Sequence, residues 1–245
     1  MAISTSRLAE LAGTARGRRL LAVVVAAAVV LSTLVFVASR SSLLRMRHLE
    51  VTGASHLAPG DVARLSGISD TTNVLWFDPS VIERRLEANP WIARAIVSRA
   101  LPWTIRIAVV ERRPVAVLRE GEGPVLVAGD GTVLGEAEAG DSLPAIVLPP
   151  GSSSKGADAA YGGAARAVAV LDATVRARIL RTVVTADGTL RMRLAGGVRI
   201  SYGAPTRLEA KAEAVRRILR WARAEGASLA TVNVSSPDAP AATLA

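Results

Sequence analysis

The 245-residue sequence contains no cysteine, only two histidines and only 3% aromatic residues. Without cysteine, disulfides cannot stabilise the fold, and cysteine nucleophiles and cysteine-rich metal sites are excluded. The scarcity of aromatic rings between basic residues also argues against a nucleic-acid interface, so we expect no nucleic-acid partner.

Lysine is almost absent as well, since Lys155 and Lys211 are the only two. The formal charge of +9 therefore comes almost wholly from arginine. The arginines are scattered along the chain rather than collected in one run, which does not by itself select an anionic lipid, a cell-wall polymer or another anionic partner.

Motifs for catalysis are sparse. Ser152–Lys155 match the S-x-x-K motif of penicillin-binding enzymes, but they lie in a Gly- and Ser-rich stretch and the sequence has no K-T-G. His48 falls on a predicted strand face and His56 in a predicted loop, with no carboxylate pair converging on them. We predict no catalytic residues, no metal site and no cofactor, and hence that the chain is not an enzyme.

One long apolar segment is present, because residues 20–38 contain no charged side chain. As a helix, this segment would extend about 28 Å, close to the roughly 30 Å thickness of a bilayer's hydrocarbon core. We predict an uncleaved transmembrane helix. A cleaved signal peptide is the alternative, since residues 37–39 are an acceptable cleavage triplet, although the apolar part of a signal peptide is usually shorter.

The charges that flank this segment predict its orientation. Four arginines and one acid precede it, and three arginines follow it closely. Because a long following region is exported largely regardless of its own charge, we predict that residues 1–19 form a cytoplasmic tail and that the chain from Arg40 onward lies outside the cell membrane.

The sequence after the apolar segment predicts the order strand, helix, helix, strand, strand in a domain spanning residues 43–112. The strands are expected at residues 47–52, 91–99 and 103–111, and helices begin near Pro59 and Pro79. The last strand alternates most clearly, and we expect Trp103, Ile105, Ile107 and Val109 on its buried face. A three-stranded sheet covered by two helices is a stable α+β arrangement at this size.

The remaining sequence predicts a β-rich domain with two helices over residues 113–235. Turn residues separate short strands, and a helix with a Thr206–Glu209 capping box precedes a last strand at residues 229–234. A Pro- and Ala-rich flexible tail is expected at residues 236–245. The predicted fold class is therefore α+β, with an N-terminal transmembrane helix and two exported domains.

Three short motifs in order resemble the signature of the bacterial cell-division protein FtsQ/DivIB family. They are P-W-I, V-S-R-A-L-P-W and V-V-E-R-R-P-V-A, and the residues that carry the resemblance are Pro90, Trp91, Arg99, Pro102, Trp103, Glu111, Arg112 and Pro114. Ile92 stands where the family usually has valine, and Leu101 where it has an aromatic residue. Asp130-Gly131 and Leu143-Pro144 also match elements of that family's β domain.

The resemblance implies a membrane-proximal POTRA domain, a following β domain, and a non-enzymatic scaffold of the divisome. Such a protein would lie in the cell membrane at the division septum. Its expected partners are FtsB/DivIC-like and FtsL-like division proteins and the septal peptidoglycan synthase complex.

The resemblance also implies that the far end of the β domain accepts a strand from an FtsB/DivIC-like partner by edge addition. The last predicted strand, residues 229–234, contains neither charge nor proline to block its edge. The expected partner-binding residues are therefore Val232, Asn233, Val234, Ser235, Ser236, Asp238 and Ala239, with Ser235 and Ser236 replacing the arginine and aromatic residue of better-known members.

The alternative function is an exported POTRA-type module that assists protein translocation or assembly. That function would require tandem POTRA units or a C-terminal barrel built from repeated strands of about ten residues, which the sequence pattern does not indicate.

Overall fold

The computed structural model describes residues 15–41, 44–120, 123–138, 140–149 and 158–245. Their contacts divide the chain into two compact units, the first ending at Ala88 and including Arg94–Val110, and the second containing Asn89–Ala93 and Glu111–Ala245. The S-x-x-K sequence and most of the expected cytoplasmic tail lie outside the described residues.

The first unit begins with a long helix, α1, at Ala15–Arg40. Within it, Arg19–Arg40 have a mean hydropathy of 3.0 and none of their most apolar stretch is buried. At 1.5 Å per residue, this part would extend about 33 Å, enough to cross the hydrocarbon core of a membrane. By length and composition it is the one such helix in the described part of the chain.

A small sheet with two helices follows in the first unit. Its elements are β1 (His48–Thr52), α2 (Pro59–Ser66), α3 (Pro79–Glu87), β2 (Ile92–Ala100) and β3 (Thr104–Glu111). The strand order is β1-β3-β2, and β1 runs parallel to β3 with Leu49 opposite Ile105. Both helices begin with proline, which fits a first helical turn because that position needs no N–H donor.

The buried face of β3 differs from the prediction at one residue. Ile105, Ile107 and Val109 are buried, as their alternation predicts, but Trp103 is 37% exposed. Trp103 precedes the first residue of β3 and lies in the turn from β2, so it does not share the pleat of the strand. The guanidinium of Arg47 stacks over its ring at 4.3 Å. The prediction that Trp103 is a core residue was therefore wrong.

Strand β2 is an edge of this sheet, and α3 supplies partners for its backbone. The carboxylate of Glu87 accepts the N–H of Ala95 at 3.0 Å, and that of Glu83 accepts the N–H of Val97 at 2.8 Å. Because these donors are already satisfied, these two positions of the β2 edge are blocked against another strand.

The second unit is built on a nine-stranded mixed sheet in the order β12-β11-β10-β9-β8-β7-β4-β5-β6. Its strands are β4 (Pro114–Glu120), β5 (Gly123–Ala128), β6 (Val133–Glu136), β7 (Ala145–Val147), β8 (Ile179–Val184), β9 (Leu190–Leu194), β10 (Arg199–Gly203), β11 (Leu229–Asn233) and β12 (Ala241–Leu244). The pairs β4/β7, β7/β8 and β10/β11 are parallel, and the other described pairs are antiparallel.

The described residues of this unit include three helices, α4 (Asp158–Ala169), α5 (Ala173–Arg176) and α6 (Leu208–Ala224). Ala- and Val-rich faces of α4 and α6 pack with one face of the sheet in a large apolar cluster. Leu118 belongs to that cluster, whereas its neighbour Val117 belongs to a smaller cluster that includes Trp91, as expected for successive residues on opposite faces of a strand. The predicted α+β fold class is confirmed.

The start of α6 differs from the predicted capping box. The N-cap residue is Arg207, not Thr206, and no side-chain hydrogen bond caps this helix. Arg207 adopts a left-handed backbone conformation with φ of 52°, which is uncommon for a residue other than glycine.

The C-terminal residues also differ from the prediction of a flexible tail. Ala241–Leu244 form strand β12, which pairs antiparallel with β11. The strand predicted to end the sheet is therefore internal, and the chain's own C-terminus supplies the edge.

We predict that Ile105→Ala destabilises the first unit far more than Trp103→Ala. Removing the fully buried Ile105 side chain should leave a cavity and cost about 2–5 kcal/mol. Loss of the exposed ring of Trp103 should cost about 1 kcal/mol, the size of a surface cation–π contact. Scanning calorimetry of the detergent-solubilised protein measures both, and a larger loss for Trp103→Ala would contradict the assigned faces.

Candidate functional site: the C-terminal edge of the large sheet

Strand β12 is the outermost strand at one end of the nine-stranded sheet. Asn233, Val232 and Thr231 of β11 lie opposite Ala241, Ala242 and Thr243. The hydroxyls of Thr231 and Thr243 are 2.5 Å apart. All residues of β12 are exposed, so this strand has one paired side and one side open to solvent.

The expected partner-binding residues of β11 are not at the edge. Val232 and Val234 are completely buried in the core, and Asn233 pairs with Ser201 of β10 on one side and Ala241 on the other. A strand whose two sides are both paired cannot accept a third. The assumption that β11 is the open edge of the sheet was therefore wrong, because β12 occupies that position. Partner binding by Val232, Asn233 and Val234 stays a prediction.

The remaining predicted residues, Ser235, Ser236, Asp238 and Ala239, form the connection from β11 to β12. The N–H of Ser235 donates to the side chain of Asn233 at 3.0 Å, and the N–H of Ala239 donates to the carbonyl of Ser236 at 3.2 Å. The connection passes close to Gly203, since a Cβ there would lie 3.0 Å from that of Ser235. These residues return the chain to the sheet and do not themselves form its edge.

An ion pair joins this connection to the start of α6. The guanidinium of Arg207 donates to both carboxylate oxygens of Asp238, at 2.6 and 2.8 Å. The hydrogen bond from Arg207 lowers the pKa of the Asp238 carboxyl, so the pair is ionised at neutral pH. Both side chains are exposed, so the pair contributes little free energy, but its two-point geometry fixes Asp238 relative to α6.

The pairing of β12 with β11 determines which of its backbone N–H and C=O groups face the open side. In an antiparallel pair, successive residues direct their N–H and C=O groups alternately toward and away from the neighbouring strand. The N–H of Ala245 donates inward to the carbonyl of Ser228 at 2.9 Å. By alternation, Thr243 also faces β11, and the N–H and C=O groups of Ala242 and Leu244 face outward.

The two edges of the large sheet differ in protection. The β12 sequence, AATL, contains no charge, no proline and no glycine. The opposite edge strand, β6, contains Gly135 and ends at Glu136. Charges and glycines discourage strand pairing, whereas a register shift does not distinguish the two edges, because β6 against β5 and β12 against β11 each have one. Strand β12 is therefore the less protected edge.

Arginine-lined grooves adjoin the end of β12. One open groove of about 460 Å³ is lined by Ala245, Ser228 and Leu229, and it includes Arg178 and Arg223. A second groove, of about 340 Å³, shares those two arginines and adds Arg216 and Arg220. Of these four arginines, Arg216 and Arg220 contact one carboxylate, that of Glu213. The second groove also contains the carboxylate of Asp172. The first groove, whose only charged side chains are Arg178 and Arg223, is thus suited to an anionic segment that continues from a strand paired with β12.

Most of the motif residues that carried the family resemblance have structural contacts. Arg112 donates to the carbonyls of Pro90 and Ile92, at 2.9 and 2.7 Å, and to the carboxylate of Asp130 at 2.7 Å. Its backbone N–H also donates to the carbonyl of Trp91 at 2.8 Å. Arg112 therefore holds the segment before β2 to the Asp130 turn within the second unit.

The other motif residues lie elsewhere in the fold. Arg99 donates to the carbonyls of Val74 and Phe77, at 3.1 and 2.6 Å. Pro102 follows a cis peptide bond in the turn that contains Trp103. Glu111 ends β3 and Pro114 begins β4. Arg99 thus joins β2 to the loop before α3, and Pro102, Glu111 and Pro114 lie in a turn or at strand ends.

The described residues contain no cluster of side chains suited to bind a metal ion. Among them, no group of three or more His, Asp or Glu side chains could hold a metal ion. His48 lies in β1 and His56 in the following loop.

Two family models match the chain. The model described as "POTRA domain, FtsQ-type" matches residues 44–112, and the model described as "Cell division protein FtsQ/DivIB, C-terminal" matches residues 116–234. Strand β12 lies beyond the second match.

Curated proteins with the name "Cell division protein FtsQ" are similar to this chain. The protein from Streptomyces bingchenggensis is 30% identical over 234 residues, which cover 93% of this chain and 87% of that protein. The protein from Mycobacterium bovis is 27% identical over 229 residues, covering 93% of this chain and 70% of that protein. The protein from Corynebacterium glutamicum is 30% identical over 115 residues, covering 46% and 52% respectively.

The Arg112–Asp130 pair predicts a pH dependence of the second unit's stability. Burial alone would raise the pKa of Asp130, but hydrogen bonds from Arg112 and Thr132 outweigh it and lower that pKa from 3.8. The stabilisation is thus fully present above the unfolded-state pKa and is lost as the pH falls through the lower folded-state pKa.

We expect Asp130→Asn to reduce the free energy of unfolding by about 1 kcal/mol at pH 7. This value lies between the stabilisation typical of an exposed ion pair and that of a hydrogen bond to a charged group. The difference from the wild type should shrink as the pH falls from 3.8 toward the lower folded-state pKa, because the unfolded chain binds the proton first and the folded carboxyl follows. Urea unfolding at several pH values measures this, with the exposed Asp70→Asn as control. A difference independent of pH would contradict the assigned role of the Asp130 charge.

Proposed function

Because the chain belongs to the FtsQ/DivIB family of bacterial cell-division proteins, we propose that it is a non-enzymatic scaffold of the divisome. In this function it binds other membrane-anchored division proteins, of the FtsB/DivIC-like and FtsL-like classes, and links them to the septal peptidoglycan synthase complex. The observation that carries the proposal is the open, uncharged β12 edge, which extends the sheet just beyond the match to the family's C-terminal model.

We propose that this chain is a single-pass membrane protein of the division septum. Residues 20–38 of helix α1 are the anchor, residues 1–19 are cytoplasmic, and the chain from Arg40 onward lies outside the membrane. The arginines at positions 16, 18 and 19 support this orientation, since positive charge favours the cytoplasmic side. We propose a POTRA domain at residues 43–112 and a β domain from residue 113 that now includes β12.

The proposed mechanism is edge addition to β12 in place of β11. A partner strand would pair with the outward N–H and C=O groups of Ala242 and Leu244, so that main-chain hydrogen bonds supply affinity. The small side chains of Ala241 and Ala242 offer little steric hindrance to such a strand. Acidic residues flanking the partner strand would interact with Arg178 and Arg223 in the adjoining groove.

Ala242→Pro tests this mechanism. Proline removes the outward N–H of residue 242 and is tolerated on an edge strand when that group faces solvent, so pairing with β11 should survive. We expect the purified full-length protein to lose capture of the FtsB-like partner from the same organism, with little change in melting temperature.

The matched control is Ala242→Val, which keeps the N–H and favours a strand. It should bind nearly as the wild type does. Normal capture by Ala242→Pro, with the melting temperature unchanged, would exclude edge addition at β12 and direct the search to another surface.

Depletion of the protein in live cells tests the function itself. We expect long filaments without septa, because the division proteins that it holds together would no longer assemble. Normal division accompanied by a protein-export defect would contradict the scaffold function and favour the translocation module.

A further inference from the structure

The end of α1 is joined to the first unit by specific contacts. The carbonyl of Ser39 accepts hydrogen bonds from the side-chain amide of Asn73 at 2.8 Å and from the indole N–H of Trp76 at 3.1 Å. The rings of Phe36 and Trp76 meet edge to face, with centroids 6.1 Å apart. The loop that contains Asn73 and Trp76 is therefore held against the last turn of the apolar helix.

A second tryptophan lies at the same end of this unit. Arg45 pairs with Asn73 in an isolated bridge, and the N–H of Arg47 donates to the carbonyl of Trp103 at 2.9 Å. The short segment from Arg45 to Arg47 thus connects the Trp76 loop to the turn that contains Trp103.

Both tryptophans are exposed, and each is stacked against an arginine. Trp76 is 50% exposed and Trp103 37% exposed, while Leu101 in the same turn is 61% exposed. The guanidinium of Arg40 lies 4.3 Å from the ring centroid of Trp76, and that of Arg47 lies 4.3 Å from that of Trp103.

These arginines differ from two other arginines in the first unit. Arg106 pairs with Glu50, and Arg64 pairs with Asp61. In the described part of the chain, Arg40, Arg45 and Arg47 form no ion pair with a carboxylate. Stacking on a ring leaves the edge of a guanidinium available, and that edge matches the geometry of a phosphate.

We infer that this surface is a membrane-binding platform for anionic phospholipid headgroups, formed by Arg40, Arg45, Arg47, Trp76, Leu101 and Trp103. Tryptophan is enriched at membrane interfaces because one part of its ring system is apolar and its N–H is polar, and arginine binds the phosphates at the same depth. The inference rests on the proposed function in one respect, since α1 must span the membrane to bring the platform to its outer surface.

Fluorescence quenching in nanodiscs tests the platform with the full-length protein. The probes are phosphatidylglycerol or phosphatidylcholine with brominated acyl chains, which quench tryptophans at the interface. We expect Trp103→Phe and Trp76→Phe each to reduce the quenched fraction of the total emission.

The charge requirement is tested with Arg47→Gln. In phosphatidylglycerol, it should lower the quenched fraction to the value found in phosphatidylcholine. Arg94→Gln is the control, because Arg94 lies six residues before the end of β2, about 20 Å from the turn that contains Trp103. Equal quenching of the wild type in the two lipids would overturn recognition of anionic headgroups.

The outcomes separate this inference from the proposed function. If Trp103→Phe leaves the quenched fraction unchanged in protein that co-migrates with nanodiscs, the platform is overturned but the anchor is not. That result would favour another protein as the occupant of this surface. Failure of the wild type to enter nanodiscs would instead overturn the anchor.

Discussion

A strand whose side chains are buried cannot leave its backbone N–H and C=O groups without partners, and in the second unit this constraint falls on β11. Val232 belongs to the core, and β10 pairs with only one side of the strand. The chain meets the requirement on the other side with its own last residues, Ala241–Leu244. The consequence is a new edge, and this edge is made of exposed residues that add nothing to the core.

Two ion pairs set the geometry around that sheet without contributing much free energy. Arg207 and Asp238 fix the connection that brings the chain back to β11, and Arg207 adopts an unusual left-handed conformation there. Arg112 and Asp130 join two distant parts of the same unit through a carboxylate and two carbonyls. In both pairs arginine suits the task because its planar guanidinium donates to more than one acceptor in fixed directions.

The sequence predicted the features that depend on local periodicity. The alternation of Ile105, Ile107 and Val109 identified a buried strand face, and the ordered motifs near Trp91 identified the family. Strand β12 was not predictable from the sequence, because AATL is short, weakly hydrophobic and follows a Pro-rich stretch typical of a tail. Only its pairing with β11 makes this segment a strand. Trp103 was misassigned because periodicity cannot tell the last residue of a turn from the first residue of a strand. The motif residue Arg112 carried no sign of its carbonyl partners, which only the tertiary fold brings together.

The account depends most on β12 having one paired and one open side, and amide hydrogen exchange measures both sides separately. In the protein alone, the amides of Thr243 and Ala245 should exchange slowly, because they donate to β11 or its preceding loop, and those of Ala242 and Leu244 should exchange rapidly. Addition of the FtsB-like partner should slow exchange at Ala242 and Leu244 and leave the other two unchanged. Rapid exchange at Ala242 and Leu244 in the saturated complex would contradict the claim that the partner pairs with this edge.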